Sequence, residues 1–286
     1  MIVLLLLIWI VSDLILTHID PLKYTPYIAK NDFEITMLAH PEKKLDKVLY
    51  GSSAVVSAYR EDLSRSGYVN FGIDYGTVSD IYQMLAKGKI KISGDLVIAL
   101  NDISFLDTLP TNPTYPWHKK WYQHYLYFQR DKIYPLFDTA INNILSGQPP
   151  IGNPLYGNSR KAIYSGTQSP EELAETVQSK NDRFGSSTVE RDCQKNFKDL
   201  EKLIRYCKKH NIRLRAVLLP WNPSVPMYEF GQSVNAAAIK AFEQNGIGYY
   251  DMTNALNPEH FHDIGHVNYE VGSPYFTQLI DEFLCR

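Results

Sequence analysis

The segment Leu96–Leu100 is apolar at every position, and a strand with no polar face must be covered on both sides, as the inner strands of a parallel sheet are. Four more short segments rich in apolar residues, Val48–Tyr50, Tyr68–Phe71, Leu214–Leu219 and Ile247–Tyr250, read as further strands. Between and after them lie stretches with helical spacing: Ala54–Leu63, Thr77–Lys87, Glu190–His210, Val234–Asn245 and Val271–Leu284. Strands alternating with helices predict an α/β domain with a mostly parallel sheet flanked by helices. From about residue 110 to 189 the alternation is lost in favour of Pro, Gly, Tyr and Trp, and this segment is expected to be a helical or irregular insertion. At 286 residues the chain has room for one such domain, placed at 47–286 and carrying the insertion.

The N-terminus has a different character. Ile2–Ile10 is unbroken apolar sequence and the apolar run resumes at Leu14–Leu16, with Asp13 between. It falls short of the ~20 apolar residues of a full span, lacks a basic leading region, and no small-x-small cleavage site follows. Residues 1–19 are therefore expected to be an uncleaved, single-pass signal-anchor, with a cleaved signal peptide and a buried core helix as the alternatives. Residues 20–46, punctuated by Pro21, Pro26 and Pro41, read as a stalk that carries the domain outside the cytoplasm. The balance of 29 Lys and Arg against 31 Asp and Glu, with no basic block, argues against a nucleic-acid partner. Cys193, Cys207 and Cys285 have neither zinc-site nor disulfide-framework spacing. The first two fall on one predicted helix, ~21 Å apart at ~1.5 Å per residue.

In an open parallel sheet, ligands bind beyond the carboxyl ends of the strands. Ser53 follows the first strand, Gly72 the second and Asn101-Asp102 the third, while Asp263-Ile-Gly-His266 precedes the last helix. A serine hydroxyl becomes a useful nucleophile when an imidazole takes its proton and a carboxylate fixes the imidazole. Donors must also meet the oxyanion that forms. Ser53, His266 and Asp263 supply the first set, and the amides of Ser53 and Gly72 with the Asn101 side chain supply the second. Simpler readings stand beside these. Gly51-Ser52-Ser53 can be a turn with a helix cap, Asn101 a turn cap, Asp102 structural, and Gly72 a backbone requirement. His260, His262, Asp263 and His266 can be metal ligands, although no metal or cofactor is expected because that would leave the serine block unexplained. Trp117, Trp121, Tyr122 and Tyr125 have helical spacing and form either a packed face or a sugar platform within a lid over Tyr115 to Phe137.

The four positions resemble, in order and spacing, the blocks of the SGNH or GDSL-like hydrolases. Gly51-Ser52-Ser53 stands for Gly-Asp-Ser, Asn70-Phe-Gly72 for the glycine block, Ala99-Leu-Asn101-Asp102 for Gly-x-Asn-Asp, and Asp263-Ile-Gly-His266 for Asp-x-x-His. The resemblance implies a flavodoxin-like three-layer α/β/α fold. Ser52 departs from the family's Asp and Ala99 from its Gly, the latter placing a methyl group where substrate would approach. The anchor, the Gly-Ser-Ser form and Leu218-Leu-Pro-Trp-Asn-Pro223 are similar to the anchored SGNH-like proteins that work beside membrane-bound O-acyltransferases, as in teichoic acid D-alanylation and alginate acetylation. That resemblance implies acyl transfer to or from a cell-surface glycan or polymer and a membrane O-acyltransferase as partner; the expected substrate-binding positions are Trp221 and Asn222, with Trp117, Trp121 and Tyr122 if the aromatic segment is a sugar platform. A plain esterase using water and a non-catalytic glycan-binding scaffold are the rival expectations.

Overall fold

The computed structural model describes residues 1–20, 31–42, 44–109, 111–124, 133–147 and 164–285. Its elements run α1 (Ile2–Ile19), α2 (Asp32–Ala39), β1 (Leu45–Gly51), α3 (Ser53–Ala58), β2 (Val69–Gly72), α4 (Val78–Ala86), β3 (Ile92–Leu100), α5 (Ile133–Leu145), α6 (Pro170–Phe184), α7 (Val189–Asp192), α8 (Gln194–Lys209), β4 (Arg213–Leu218), α9 (Glu229–Gln244), β5 (Gly248–Asp251) and α10 (Gly272–Leu284). The chain divides into two compact units, Met1–Ile35 with Pro113–Asn158, and Thr36–Asn112 with Ser159–Arg286.

In the first unit α1 exposes its apolar side chains almost throughout. Its 18 residues extend about 27 Å at ~1.5 Å each, close to the ~30 Å hydrocarbon thickness of a bilayer. Tyr115 and Trp117 stack at 4.7 Å, and Phe33 meets Trp117 edge-on at 5.1 Å. The Tyr115 hydroxyl donates to Asp32 and the Asn31 amide to Thr114. Pro21–Lys30, within the expected stalk, and Tyr125, within the expected lid, lie outside the described residues.

The second unit is built on a five-stranded, all-parallel sheet in the order β2-β1-β3-β4-β5. The chain steps outward from β1 to β2, then crosses back over β1 to β3 and continues in the other direction. This is the flavodoxin-like doubly wound order, with its reversal between β1 and β3. Side chains alternate across the sheet. Leu49, Val97, Ala99 and Val217 pack in one cluster with Ala54 and Val55 of α3 and Phe276 and Ile280 of α10. Their neighbours in sequence, Val48, Tyr50, Leu96, Ile98, Leu100, Ala216 and Leu218, are equally buried, which is why these strands are apolar at successive positions. α3 and α10 touch on the first side, whereas α4 packs against α8. The sheet therefore has three-layer α/β/α form.

One predicted helix is broken. The expected Glu190–His210 divides at Cys193, whose φ of −125° ends α7, and α8 restarts at Gln194. The reason lies far away in sequence: the Asp107 carboxylate accepts the Lys195 and Asn196 amides at 2.8 and 2.9 Å, capping the new helix from outside. At the amino end of the strands Arg215 pairs with Asp95 at 2.7 Å and donates to the carbonyls of Phe283 and Leu284, tying the last turn of α10 to the sheet.

Candidate active site

Gly51 and Ala99 are register partners on adjacent strands, so Ser53 and Asn101, each two residues further on, leave the sheet side by side at its reversal point. Gly51 has to be glycine because a Cβ there would lie 2.3 Å from the Val55 side chain and 2.8 Å from the Ala99 carbonyl. That close approach makes the turn into α3 tight. Ser52 occupies the cap position but its side chain makes no capping hydrogen bond. Ser53 is the first helical residue, and its hydroxyl is directed to His266 instead of to the backbone.

Ser53 Oγ lies 2.9 Å from His266 Nε2, and His266 Nδ1 lies 2.7 Å from Asp263 Oδ2. The other carboxylate oxygen of Asp263 accepts the backbone amides of Gly265 at 2.8 Å and His266 at 2.7 Å. Burial acts to raise the Asp263 pKa. The hydrogen bond and charge of His266, together with the two amides, overcome it and draw the carboxyl down to about 2. An ionised Asp263 accepts the Nδ1 proton, which leaves Nε2 with a lone pair facing the serine hydroxyl.

The loop carrying these residues follows β5 and is held from several sides. Asn222, just beyond β4, donates its backbone amide to Ile264 O at 3.0 Å and its side-chain amide to Asp263 O at 3.2 Å. A Cβ on Gly272, at the start of α10, would come within 1.9 Å of the His260 carbonyl, so the loop rests directly on that helix. From another side the segment 164–168 is laced on: Tyr269 N–H donates to Tyr164 O, Asn268 Nδ2 to Gly166 O, and Gln168 N–H to His262 O. The Tyr164 ring stacks on the His266 ring with centroids 4.2 Å apart and planes 17° from parallel. Burial pushes its phenol up to about 12.

Of the expected oxyanion donors, two are available. Asn101 Oδ1 accepts both the amide and the hydroxyl of Ser104, which turns its Nδ2 away as a donor, and neither that Nδ2 nor the Ser53 N–H has an acceptor among the described residues. The expected third donor, Gly72 N–H, is engaged by Asn70 Oδ1 at 3.0 Å. Asn70 is held there because its own amide binds the carbonyls of Val55, Val56 and Tyr59. Gly72 is glycine for packing: a Cβ would meet Val56 N at 2.7 Å. Asp102 accepts the buried Tyr228 hydroxyl, a structural contact.

Several expected substrate positions belong elsewhere. Asn222 is 1% exposed and braces the loop, and Trp221 is buried with its indole donating to Val225 O. Trp117 is 1% exposed in the aromatic core of the first unit, so both its faces are occupied. Trp121 and Tyr122 are exposed on that unit. The Ala99 methyl points into the core cluster with Val55 and not toward an incoming substrate. His260 stacks on Tyr275, and His262 Nδ1 is within hydrogen-bond range of the Ser165 and Gly166 carbonyls, each engaged apart from Asp263 and His266.

Sequence reasoning missed Tyr164 and Asn70. Tyr164 lies in the irregular insertion, where nothing periodic singled it out. Asn70 stood within a recognised block, but its clamp onto α3 depends on the strand–helix contact. No family model and no curated protein matches the chain. Among solved structures it is similar to a protein provisionally assigned as an acylhydrolase from Bacteroides fragilis, at 15% identity over 86% of this chain and 89% of that one, with a TM-score of 0.39. It is also similar to a GDSL-like lipase from Bacteroides thetaiotaomicron, at 13% identity over 85% and 88%, with a TM-score of 0.39.

Proposed function

We propose that this chain is a membrane-anchored, extracytoplasmic serine enzyme that forms an acyl-enzyme on Ser53 and moves a small acyl group to or from a cell-envelope glycan. The observation that carries the reading is the unbroken series Ser53–His266–Asp263, at 2.9 and 2.7 Å, at the reversal point of the sheet. In the first half-reaction His266 Nε2 takes the Ser53 proton as Oγ bonds to the acyl carbon. The oxyanion meets the Ser53 N–H and Asn101 Nδ2, and His266 returns the proton to the departing alcohol. In the second, His266 Nε2 takes the proton of an acceptor hydroxyl as that oxygen bonds to the acyl carbon, the acyl–Oγ bond breaks, and the proton passes from Nε2 to Ser53 Oγ. A glycan acceptor makes this a transferase, with a membrane O-acyltransferase as the upstream acyl source, and water makes it an esterase.

The exposed apolar surface of α1 supports the anchoring half of the reading. Tethering raises the effective concentration of a site at a membrane surface, which favours a membrane-delivered donor. The test is to treat the full chain with a fluorophosphonate, then with an activated acetyl ester with and without cell-wall oligosaccharide. Labelling of Ser53 that is lost in Ser53→Ala, and acetyl recovered on sugar, are the expected results. Release to water regardless of oligosaccharide would replace transferase by esterase, and absence of any acyl-Ser53 in folded protein would overturn the enzyme reading.

A further inference from the structure

α1 is bare along only part of its length. Its side chains are exposed from Ile2 to Val11, and beyond that Leu14, Ile15 and Ile19 stay exposed on one side. The other side is closed: Asp13 is 4% exposed, and Leu16, Thr17 and Asp20, which follow it at helical spacing, are partly covered. An isolated helix cannot bury an aspartate, so the rest of its compact unit lies against this side of α1. Asp13 stands seven residues before the cap residue Asp20, about 10 Å at ~1.5 Å per residue. The bare residues Ile2–Ser12 extend only ~17 Å, little more than half of the ~30 Å hydrocarbon thickness. A helix that spans therefore takes its covered end into the hydrocarbon as well. There an ionisable side chain is costly unless protein covers it, and any surface the covering unit turns outward has to be apolar.

That surface is present on α5, in the same unit. Phe137, Ile141, Ile144 and Leu145 are 55–80% exposed. At ~100° per residue they fall within about 100° of arc, with Asn142 and Asn143 outside it. Trp121 and Tyr122 are exposed too and follow Lys119 and Lys120, with Lys120 Nζ 6.0 Å from the Tyr122 ring centroid. Aromatic rings beside ammonium groups suit the headgroup level, where a ring is half in apolar surroundings and a cation meets lipid phosphate. Resting on the anchored reading above, we propose that the first unit is itself seated in the bilayer at the carboxyl end of α1, with the apolar face of α5 turned to lipid and Trp121 and Tyr122 among the headgroups. A second copy of the chain would cover α5 but leave the covered end of α1 unexplained, whereas a bilayer accounts for both.

The test is site-directed spin labelling of the full chain in vesicles of phosphatidylcholine and phosphatidylglycerol. Cys285 is the exposed free thiol, and Cys193 and Cys207 are buried, so Ile10→Cys, Ile141→Cys, Leu145→Cys and Asn142→Cys are each made with Cys285→Ser. Accessibility to oxygen against a water-soluble nickel chelate gives the depth of each label. The label at Ile10 should lie ~15 Å deep, in the middle of the bilayer. Labels at Ile141 and Leu145 should lie about 5–10 Å below the headgroups, open to oxygen and shielded from nickel, and the label at Asn142 should be open to nickel. Nickel reaching Ile141 and Leu145 while Ile10 stays deep would overturn the inference and leave the anchor standing. Shielding of the α5 labels from both reagents, or dipolar broadening between copies that disappears on dilution with unlabelled chain, would put protein over the face and overturn it too. Nickel reaching Ile10 would sink the anchored reading, and this inference with it.

Discussion

Asp263→Asn isolates the orienting carboxylate with little change in volume. Asp263 accepts three hydrogen bonds, two from backbone amides at one oxygen and one from His266 Nδ1 at the other. Asparagine has one oxygen. If that oxygen keeps the two amides, its NH₂ faces Nδ1, and the imidazole must shift its proton to Nε2 to accept. The nitrogen facing Ser53 then carries a hydrogen and cannot take another. A serine triad with this change loses ~10⁴ in rate, which is about 5 kcal/mol in the barrier, whereas the loss of one charge-assisted bond costs folding only about 2 kcal/mol. The assay is the fluorophosphonate labelling rate at Ser53 beside a thermal melt: labelling should fall about 10⁴-fold while the variant stays folded. The same residue gives a pH signature. Its folded pKa of about 2 lies below the ~3.9 of an unfolded Asp, so between these values the unfolded chain binds more protons. The stabilisation, about 2 kcal/mol, is fully present above about pH 4 and lost as pH falls through about 2. Wild type minus Asp263→Asn should show that loss. A labelling rate within 10-fold of wild type would refute the tautomer argument.

Asn101→Ala removes a side-chain donor whose orientation Ser104 fixes, and should lower the acylation rate by about 10²- to 10³-fold with unchanged substrate affinity, measured as kcat against KM on an activated ester; an effect on KM alone would move Asn101 to substrate binding. Gly272→Ala places a methyl group 1.9 Å from the His260 carbonyl, so it should cost about 1–3 kcal/mol of stability as overpacking does and also slow labelling of Ser53, because the loop that must move carries His266; a stable variant with full labelling would show that the loop does not rest on α10.

The strands, their order along the chain and the meeting of Ser53, Asp263 and His266 were legible in sequence, because each depends on a local signal: an apolar run, a strand-end glycine, or a three-residue separation between carboxylate and imidazole. What escaped depends on contacts between distant positions. Asn196 and Lys195 begin a new helix because Asp107 caps it from almost ninety residues away. Trp221-Asn222 has the composition of a binding motif, and only the fold shows that Asn222 is buried against the Asp263 loop. Gly72 was expected to offer its amide, yet the amide is taken by a side chain two residues earlier, held in place by α3. Tyr164 sits 102 residues before the histidine on which it stacks, in a stretch without periodicity, and no rule of spacing reaches that far.

The loop that carries Asp263 and His266 has little regular structure, since within 261–267 the only ladder element among the described residues is the bridge between Phe261 and Val267. A base held to a few tenths of an ångström by such a loop needs its position supplied from outside. Here the segment after β4 contributes Asn222, α10 contributes the close approach at Gly272, and the returning end of the irregular insertion contributes Tyr164 through Gln168. The first two braces come from elements beside the sheet and from its flanking helix. The third does not. It comes from the part of the chain with the least periodic sequence, and it is the brace that stacks on the imidazole. Changes in the insertion are therefore expected to act on the placement of His266 beside Ser53 through the Tyr164 stack.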